Sequence, residues 1–226
     1  MRYFLYFLLA TLMILSCSDE KYREESNSKS TTKRTKKIKK AQPLDSINRN
    51  NTVAFLKKYG NENRETKAVL HTHFGDIHLK LYEETPLHRA NFIFLSKMGY
   101  FDTTCFYRVV PNFIIQGGNS ENLTTNAMRN SYQNYRIPPE MSVQLKHKYG
   151  AVAAARDWED NPGKVSNPFE FYIIQARSGA HHLDNEHTVF GEVTSGFSVI
   201  DIIVNLETGS DEWPLEDVFM RIEVFE

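Results

Sequence analysis

The stretch FYRVVPNFIIQGG, Phe106 to Gly118, reads mostly as a half-buried strand, yet it carries three side chains that a strand does not need. Arg108 offers a planar fork of donors, Phe113 an apolar ring, and Gln116 an amide just ahead of two glycines. Other chemistries are thinly supplied. His71, His73 and His78 lie along one predicted hairpin, and alternation puts His71 and His73 on a shared face, where a metal is conceivable. No carboxylate or cysteine is seen to complete that set, so surface or structural roles are expected. His181, His182 and His187 form a second histidine group. The two cysteines, Cys17 and Cys105, build neither a disulfide framework nor a cysteine zinc site. Cys105 sits in a predicted strand with no resolving partner and is expected to be a buried, inert thiol. No Gly-x-Ser-x-Gly elbow for a hydrolase is present.

The elements that must position these residues are mainly strands. Of 226 residues, 41% are hydrophobic and 24% charged, enough for a folded domain. The formal net charge of −1 argues against a dedicated nucleic-acid binder. KAVLHTHFGDIHLKLY alternates on both sides of Phe74-Gly75-Asp76, as a hairpin does. Further strands are predicted at Cys105–Val110, Phe113–Gly117, Ala151–Arg156, Phe171–Gln175, Val189–Val193 and in VFMRIEVFE. Leu87, Ala90, Phe94 and Met98 have helical spacing, with Thr85 as N-cap, Pro86 in the first turn and Gly99 at the end. GFSVIDIIVNLE predicts a second helix. Many strands, two separated helices and no βαβ rhythm predict an antiparallel barrel with helices over its ends.

The N-terminal part reads differently. Tyr3 to Leu15 is apolar and follows Arg2, matching a secretory h-region and falling short of the about 20 residues that span a bilayer. ILSC resembles a bacterial lipobox, which implies cleavage after residue 16 and lipid on the sulfur of Cys17. The CSDE that follows resembles the acidic tag of surface-exported lipoproteins in Bacteroidetes-type bacteria. Residues 17–50 are polar and predict a flexible tether, including the basic run Lys33–Lys40, read as a solvated linker. Residues 51–65 predict a short helical extension capped at Asn51 or Thr52 and ended by Gly60. The folded domain is expected over 66–226.

Within that domain FYRVVPNFIIQGG resembles the signature of cyclophilin-type peptidyl-prolyl isomerases, Phe-His-Arg-x-x-x-x-Phe-x-x-Gln-Gly-Gly. TPLHRANFIFL, YRIPPE, KHKYGAVAAAR, FEFYII and HLDNEHTVFGEV resemble further blocks of the family, in family order. The resemblance implies a mainly β fold: a closed antiparallel eight-stranded barrel with two capping helices. It implies isomerisation of X–Pro bonds with no metal, cofactor or covalent intermediate.

The same resemblance gives each residue a role. Amide resonance sets a barrier of about 18–20 kcal/mol, and X–Pro bonds turn over in tens to hundreds of seconds. When the bond twists, the proline nitrogen becomes a hydrogen-bond acceptor, and Arg108 inherits the role of donating to it. Phe113 holds the proline ring and Gln116 the substrate carbonyl. Ile114 stands for the usual methionine wall. Ala155 and Arg156 stand where backbone groups pair with the substrate. Tyr172, Leu183 and His187 complete the pocket. His182 stands where tryptophan, associated with cyclosporin binding, is frequent. Glu170 replaces a glutamine and is expected to pair with Arg108 or Arg156, or to favour basic substrates. Tyr107 replaces histidine, with no consequence expected. The implied partners are proline-containing peptides, unfolded or exported proteins, and a membrane reached through Cys17, with no nucleic acid. A monomer is expected, lipid-anchored in the cell envelope at the outer membrane, on its periplasmic or surface face. The alternative is a catalytically weak, cyclophilin-shaped module that binds proline-containing segments.

Overall fold

A computed structural model of the chain describes residues 46–132 and 135–226. The expected signal peptide, Cys17, the basic run and the tether up to residue 45 lie outside the described residues. Packing starts at Ile47, inside the stretch expected to be tether: its side chain is buried in the main core.

Helix α1 (Thr52–Glu62) comes first. Strands β1 (Lys67–Thr72) and β2 (Gly75–Leu81) form a hairpin, and α2 (Pro86–Lys97) follows. Strands β3 (Cys105–Val110) and β4 (Ile114–Asn119) lead into α3 (Leu123–Ser131). Then come β5 (Ala151–Ala154), β6 (Phe171–Ile174), β7 (Val189–Ser195), α4 (Phe197–Val204) and β8 (Arg221–Phe225). The strands make one sheet in the order β3-β4-β6-β5-β7-β2-β1-β8, with every ladder antiparallel.

This sheet curls into an open half-barrel, which corrects the closed barrel that the resemblance implies. β3 and β8 end the sheet and share no ladder. Across the gap there is one isolated bridge, Cys105 to Phe219, flanked by Phe106 N–H donating to Val218 O at 3.0 Å and Met220 N–H to Thr104 O at 3.1 Å. The ladder cannot spread because β8 begins only at Arg221. The residues before it reach β3 as a loop, with Val109 N–H donating to Glu212 O at 2.9 Å.

Four α-helices are present among the described residues: α1, α2 and α4, which are expected, and α3, which is not. α2 packs on β7 and β8, and α4 on β2, β3 and β4. α1 lies on α2 through Phe55 and Tyr59, both edge-on to Phe94 at 5.2 and 5.3 Å. Gly60 does not end α1. It allows close approach to α2, since a Cβ there would sit 3.0 Å from that of Ala90. Thr85 makes no side-chain cap on α2. The free N-terminal amides of Leu87 and His88 donate instead to the Glu140 carboxylate, which also meets His88 Nδ1 at 2.7 Å. α3, capped by Asn122 accepting from Thr124 N–H at 2.8 Å, escapes the sequence reading although its Asn N-cap is a legible signal.

Alternation along each strand separates two apolar clusters. Ile115, Val152, Phe171, Ile173 and Phe190 fill the main core under α2. Ile114, Ala153, Tyr172, Ile174 and Val189 face the other side of the sheet. Among the described residues no helix is long and apolar enough to cross a membrane.

Candidate active site

A register shift in β3 decides where Arg108 points. Phe106 lies opposite Gly117 and Arg108 opposite Gln116, so Tyr107 is an extra residue, a β-bulge. Strict alternation would put Arg108 on the same face as Phe106, which is fully buried in the core. The bulge instead turns both Tyr107 and Arg108 outward, while Val109 returns to the core. On β4, Gly118 answers the bend with φ +97, and a Cβ there would meet Phe169 O at 2.1 Å. The second glycine of the motif is therefore a backbone requirement.

The outward face then carries a row across adjacent strands: Arg108 on β3, Gln116 on β4, Tyr172 on β6, Ala153 on β5. Beside the row lies an apolar cluster. Phe113, half-buried in the turn before β4, packs against the cluster of Ile114, Tyr172, Leu183 and Ala155, and His182 stacks on it at 5.5 Å and 26°. His187 stands edge-on to Tyr172 at 5.5 Å. Asp184 and His147 lock the Tyr172 hydroxyl. Burial pushes the Asp184 carboxyl up, but hydrogen bonds from the His147 backbone and ring bring it down to about 2. The ionised carboxylate takes His147 Nδ1–H at 3.0 Å, which leaves Nε2 to accept from Tyr172 at 3.1 Å. Burial also pushes the His187 imidazole down to about 4. Its Nδ1–H donation to Ala154 O at 3.1 Å opposes this, and the Arg156 charge adds to it. His187 Nε2 is buried with no partner among the described residues.

Gln116 is held by a chain of polar groups. Its Nε2 donates to the Tyr107 hydroxyl, which donates to Glu170 Oε2 at 3.0 Å, and Arg129 of α3 pairs with the other carboxylate oxygen. Arg129 Nε also donates to the Tyr100 hydroxyl at 2.9 Å, and that hydroxyl donates to Gly118 O at 2.8 Å. Burial, with the Glu170 charge beside it, pushes the Tyr107 hydroxyl far up, so it stays a donor. Two expectations are corrected here. Glu170 pairs with neither Arg108 nor Arg156, because Arg129 and Tyr107 occupy both its oxygens and it is no free site for basic substrates. Tyr107, from which nothing was expected, orients Gln116.

Arg108 itself is half-exposed. Its Nε donates to Glu212 Oε2 at 2.6 Å, and among the described residues its two Nη groups make no hydrogen bond. Arg156 is the opposite case. Its side chain is 4% exposed, and it donates from Nε to Glu186 O at 2.8 Å, from Nη2 to Glu186 Oε2 at 2.7 Å and from Nη1 to Asp157 O at 3.1 Å. It also stacks under Trp158 at 4.3 Å. Ala155 is corrected too. Its N–H donates to Glu170 O and its C=O accepts from Asn167 N–H, so its N–H is not spare for a substrate. The Arg156 backbone makes no such bond among the described residues.

The sequence reading missed Tyr107, Arg129, Glu186, Trp158 and Glu212. Only Trp158, two residues after Arg156, left a local signal. Glu212 reaches Arg108 across a sequence separation of 104. The histidines of the first hairpin do have carboxylates: His71 meets Asp76 at 2.8 Å, and His73 meets Glu216 at 3.0 Å. His71 Nε2 also lies 3.8 Å from Glu223 Oε2, and among the described residues no group of three or more side chains that could hold a metal ion occurs. Burial pushes the Cys105 thiol up to about 12, the condition of an inert thiol.

Comparison with known proteins gives the family and the fold. The family description "Cyclophilin type peptidyl-prolyl cis-trans isomerase/CLD" matches residues 67–224. A Streptococcus pyogenes protein that carries the name of a bifunctional phosphatase/peptidyl-prolyl cis-trans isomerase is 32% identical over 189 residues. These cover 71% of this chain, and the chain spans 39% of that relative's length. A peptidyl-prolyl cis-trans isomerase of Arabidopsis thaliana is 33% identical over 152 residues, covering 67% of this chain and 90% of its own. A cyclophilin type peptidyl-prolyl cis-trans isomerase of Cryptosporidium parvum shares the fold with a TM-score of 0.61 at 22% identity, over 72% of this chain and 98% of its own. That protein has also been crystallised in the presence of the dipeptide Ala-Pro. The chain belongs to the cyclophilin-type peptidyl-prolyl cis-trans isomerase family.

Proposed function

We propose that this chain isomerises X–Pro bonds in exported or cell-envelope proteins without a covalent intermediate. The observation that carries the proposal is the placement of Arg108 opposite Gln116, with its two Nη groups uncommitted, beside the apolar cluster of Phe113, Ile114, Tyr172 and Leu183, with His187 edge-on to Tyr172. The proline ring packs on this cluster, since burying apolar surface contributes about 25 cal/mol per Å². Gln116, held by Tyr107, takes the carbonyl on the rotating side. Arg108 donates to the proline nitrogen only once the amide has twisted, so its interaction favours the transition state over either planar isomer. The relative crystallised with Ala-Pro supports a dipeptide of this type as the minimal occupant.

Cys17 would carry the lipid that holds the protein to the outer membrane. More than one acyl chain is needed for stable anchoring. Two measurements test the proposal. NMR exchange spectroscopy on a short X–Pro peptide is expected to show catalysed interconversion. Peptide binding without exchange would favour the binding module instead. Detergent partitioning is expected to move wild type to the detergent phase and Cys17→Ala to the aqueous phase, and equal partitioning would remove the lipid anchor.

A further inference from the structure

The turn from Gly209 to Trp213 lies against the site and has no part in the function derived so far. Its backbone closes on itself: Glu212 N–H donates to Gly209 O at 3.2 Å and Gly209 N–H to Trp213 O at 2.8 Å. It is stitched to β3 next to the key arginine, because Val109 N–H donates to Glu212 O at 2.9 Å. Glu212 adopts a left-handed backbone with φ 65. Among the described non-glycine residues in that region, three are Asn or Asp, which tolerate it; only Lys164 and Glu212 are not. A strained residue persists where its surroundings fix it, and such residues gather at functional sites.

The strained conformation has a clear use. The Glu212 side chain turns back to accept from Arg108 Nε at 2.6 Å, so the turn grips β3 by backbone at Val109 and by side chain at Arg108. The neighbouring Trp213 ring lies 5.5 Å from that of Tyr107, whose hydroxyl holds Gln116. One turn thus touches both polar arms of the groove. We propose that the Gly209–Trp213 turn is a positioning element. Glu212 sets the plane of the Arg108 guanidinium and leaves both Nη groups for the substrate. Trp213 holds Tyr107 and, through it, the Gln116 amide. This rests on the isomerase reading of Arg108, and Glu212 touches no substrate.

The test is exchange spectroscopy on one X–Pro peptide with kcat and KM separated, alongside thermal melting. Glu212→Ala is expected to lower kcat about 10-fold with KM within about 2-fold, a fraction of the ~10²-fold that an ångström of misplacement brings. Glu212→Gln keeps an acceptor oxygen and is expected to recover most of this, losing about 3-fold. Glu212→Gly is expected to be as slow as Glu212→Ala yet to melt no lower than wild type, since glycine relieves the left-handed backbone. Activity and stability would then move apart, which a purely structural ion pair would not produce. The double variant Arg108→Ala/Glu212→Ala is expected to be no slower than Arg108→Ala alone, because Glu212 acts through Arg108. Wild-type kcat in Glu212→Ala and Glu212→Gly, or additive losses in the double variant, overturns the inference while leaving the isomerase reading intact if Arg108→Ala is slow. Wild-type exchange in Arg108→Ala sinks that reading and this inference with it.

Discussion

Arg108 and Arg156 both stand at the groove, both are expected from sequence to serve it, and the fold treats them in opposite ways. Arg156 is withdrawn: 4% exposed, bonded through all three nitrogens to Glu186 and Asp157, and covered by Trp158. Lys164, itself in a left-handed backbone, holds Glu186 from the other side at 2.7 Å. Arg108 is 36% exposed and spends one nitrogen on Glu212. A guanidinium whose donors are all used can only shape its loop. One held at a single point is oriented and still has donors to give. The two arginines differ in burial and in spent hydrogen bonds, not in residue type: Arg156 has every nitrogen bonded, and Arg108 keeps both Nη groups.

Breaking the Arg108 end should give the largest effect. Arg108→Ala is expected to lower kcat/KM by about 10²–10³, the scale for losing a transition-state donor. Its melting temperature should stay within about 4 °C, because exposed ion pairs contribute at most about 1 kcal/mol. Exchange spectroscopy and calorimetry on the same sample check both halves, and a large drop in melting temperature would make Arg108 a scaffold residue as well.

Acid sharpens the comparison from the Arg156 side, where His187 lies. Its folded value is about 4 against an ordinary 6.5, so between those values the unfolded chain binds more protons than the folded one. Stability from this group is complete above pH 6.5 and is lost as pH falls from 6.5 through 4, by on the order of 3 kcal/mol. The kcat/KM profile should therefore show no inflection near 6.5, while denaturant midpoints decline below it. An activity step at 6.5 would mean that His187 titrates normally and that its pocket is wet.

Arg156→Ala should reverse the Arg108 pattern. Losing buried, charge-assisted hydrogen bonds and the Trp158 stack should destabilise the fold by about 2–3 kcal/mol, or roughly 4–10 °C in melting temperature. Activity should change by less than about 3-fold, within what a small loop shift brings. An unchanged melting temperature would show that Glu186 and Lys164 hold the loop without it.

The smallest effect belongs to His182, which covers Phe113 from outside. His182→Trp adds ring surface over the proline pocket and is expected to tighten binding of a cyclosporin or an apolar X–Pro peptide by about 1 kcal/mol, measured by calorimetry. No gain would mean that the ring stacked on Phe113 does not reach the ligand.

Much of the molecule was legible before any coordinates. Alternation in KAVLHTHFGDIHLKLY gave the first hairpin, and helical spacing with Pro86 gave α2, because burying one face imposes a period that composition records. The ordered blocks gave the family, and with it the set Arg108, Phe113 and Gln116. Other features depend on contacts between residues far apart in the chain. Sequence cannot show that a bulge at Tyr107 turns Arg108 out of the core, since a register shift exists only between two paired strands. It cannot show that Arg129 and Tyr107 take Glu170, that Glu140 replaces Thr85 as the cap of α2, or that the sheet stays open between β3 and β8. Local periodicity determined the hairpin and α2, and the resemblance of the motif blocks implied which residues serve the chemistry; only tertiary packing decided which of their hydrogen bonds were already spent.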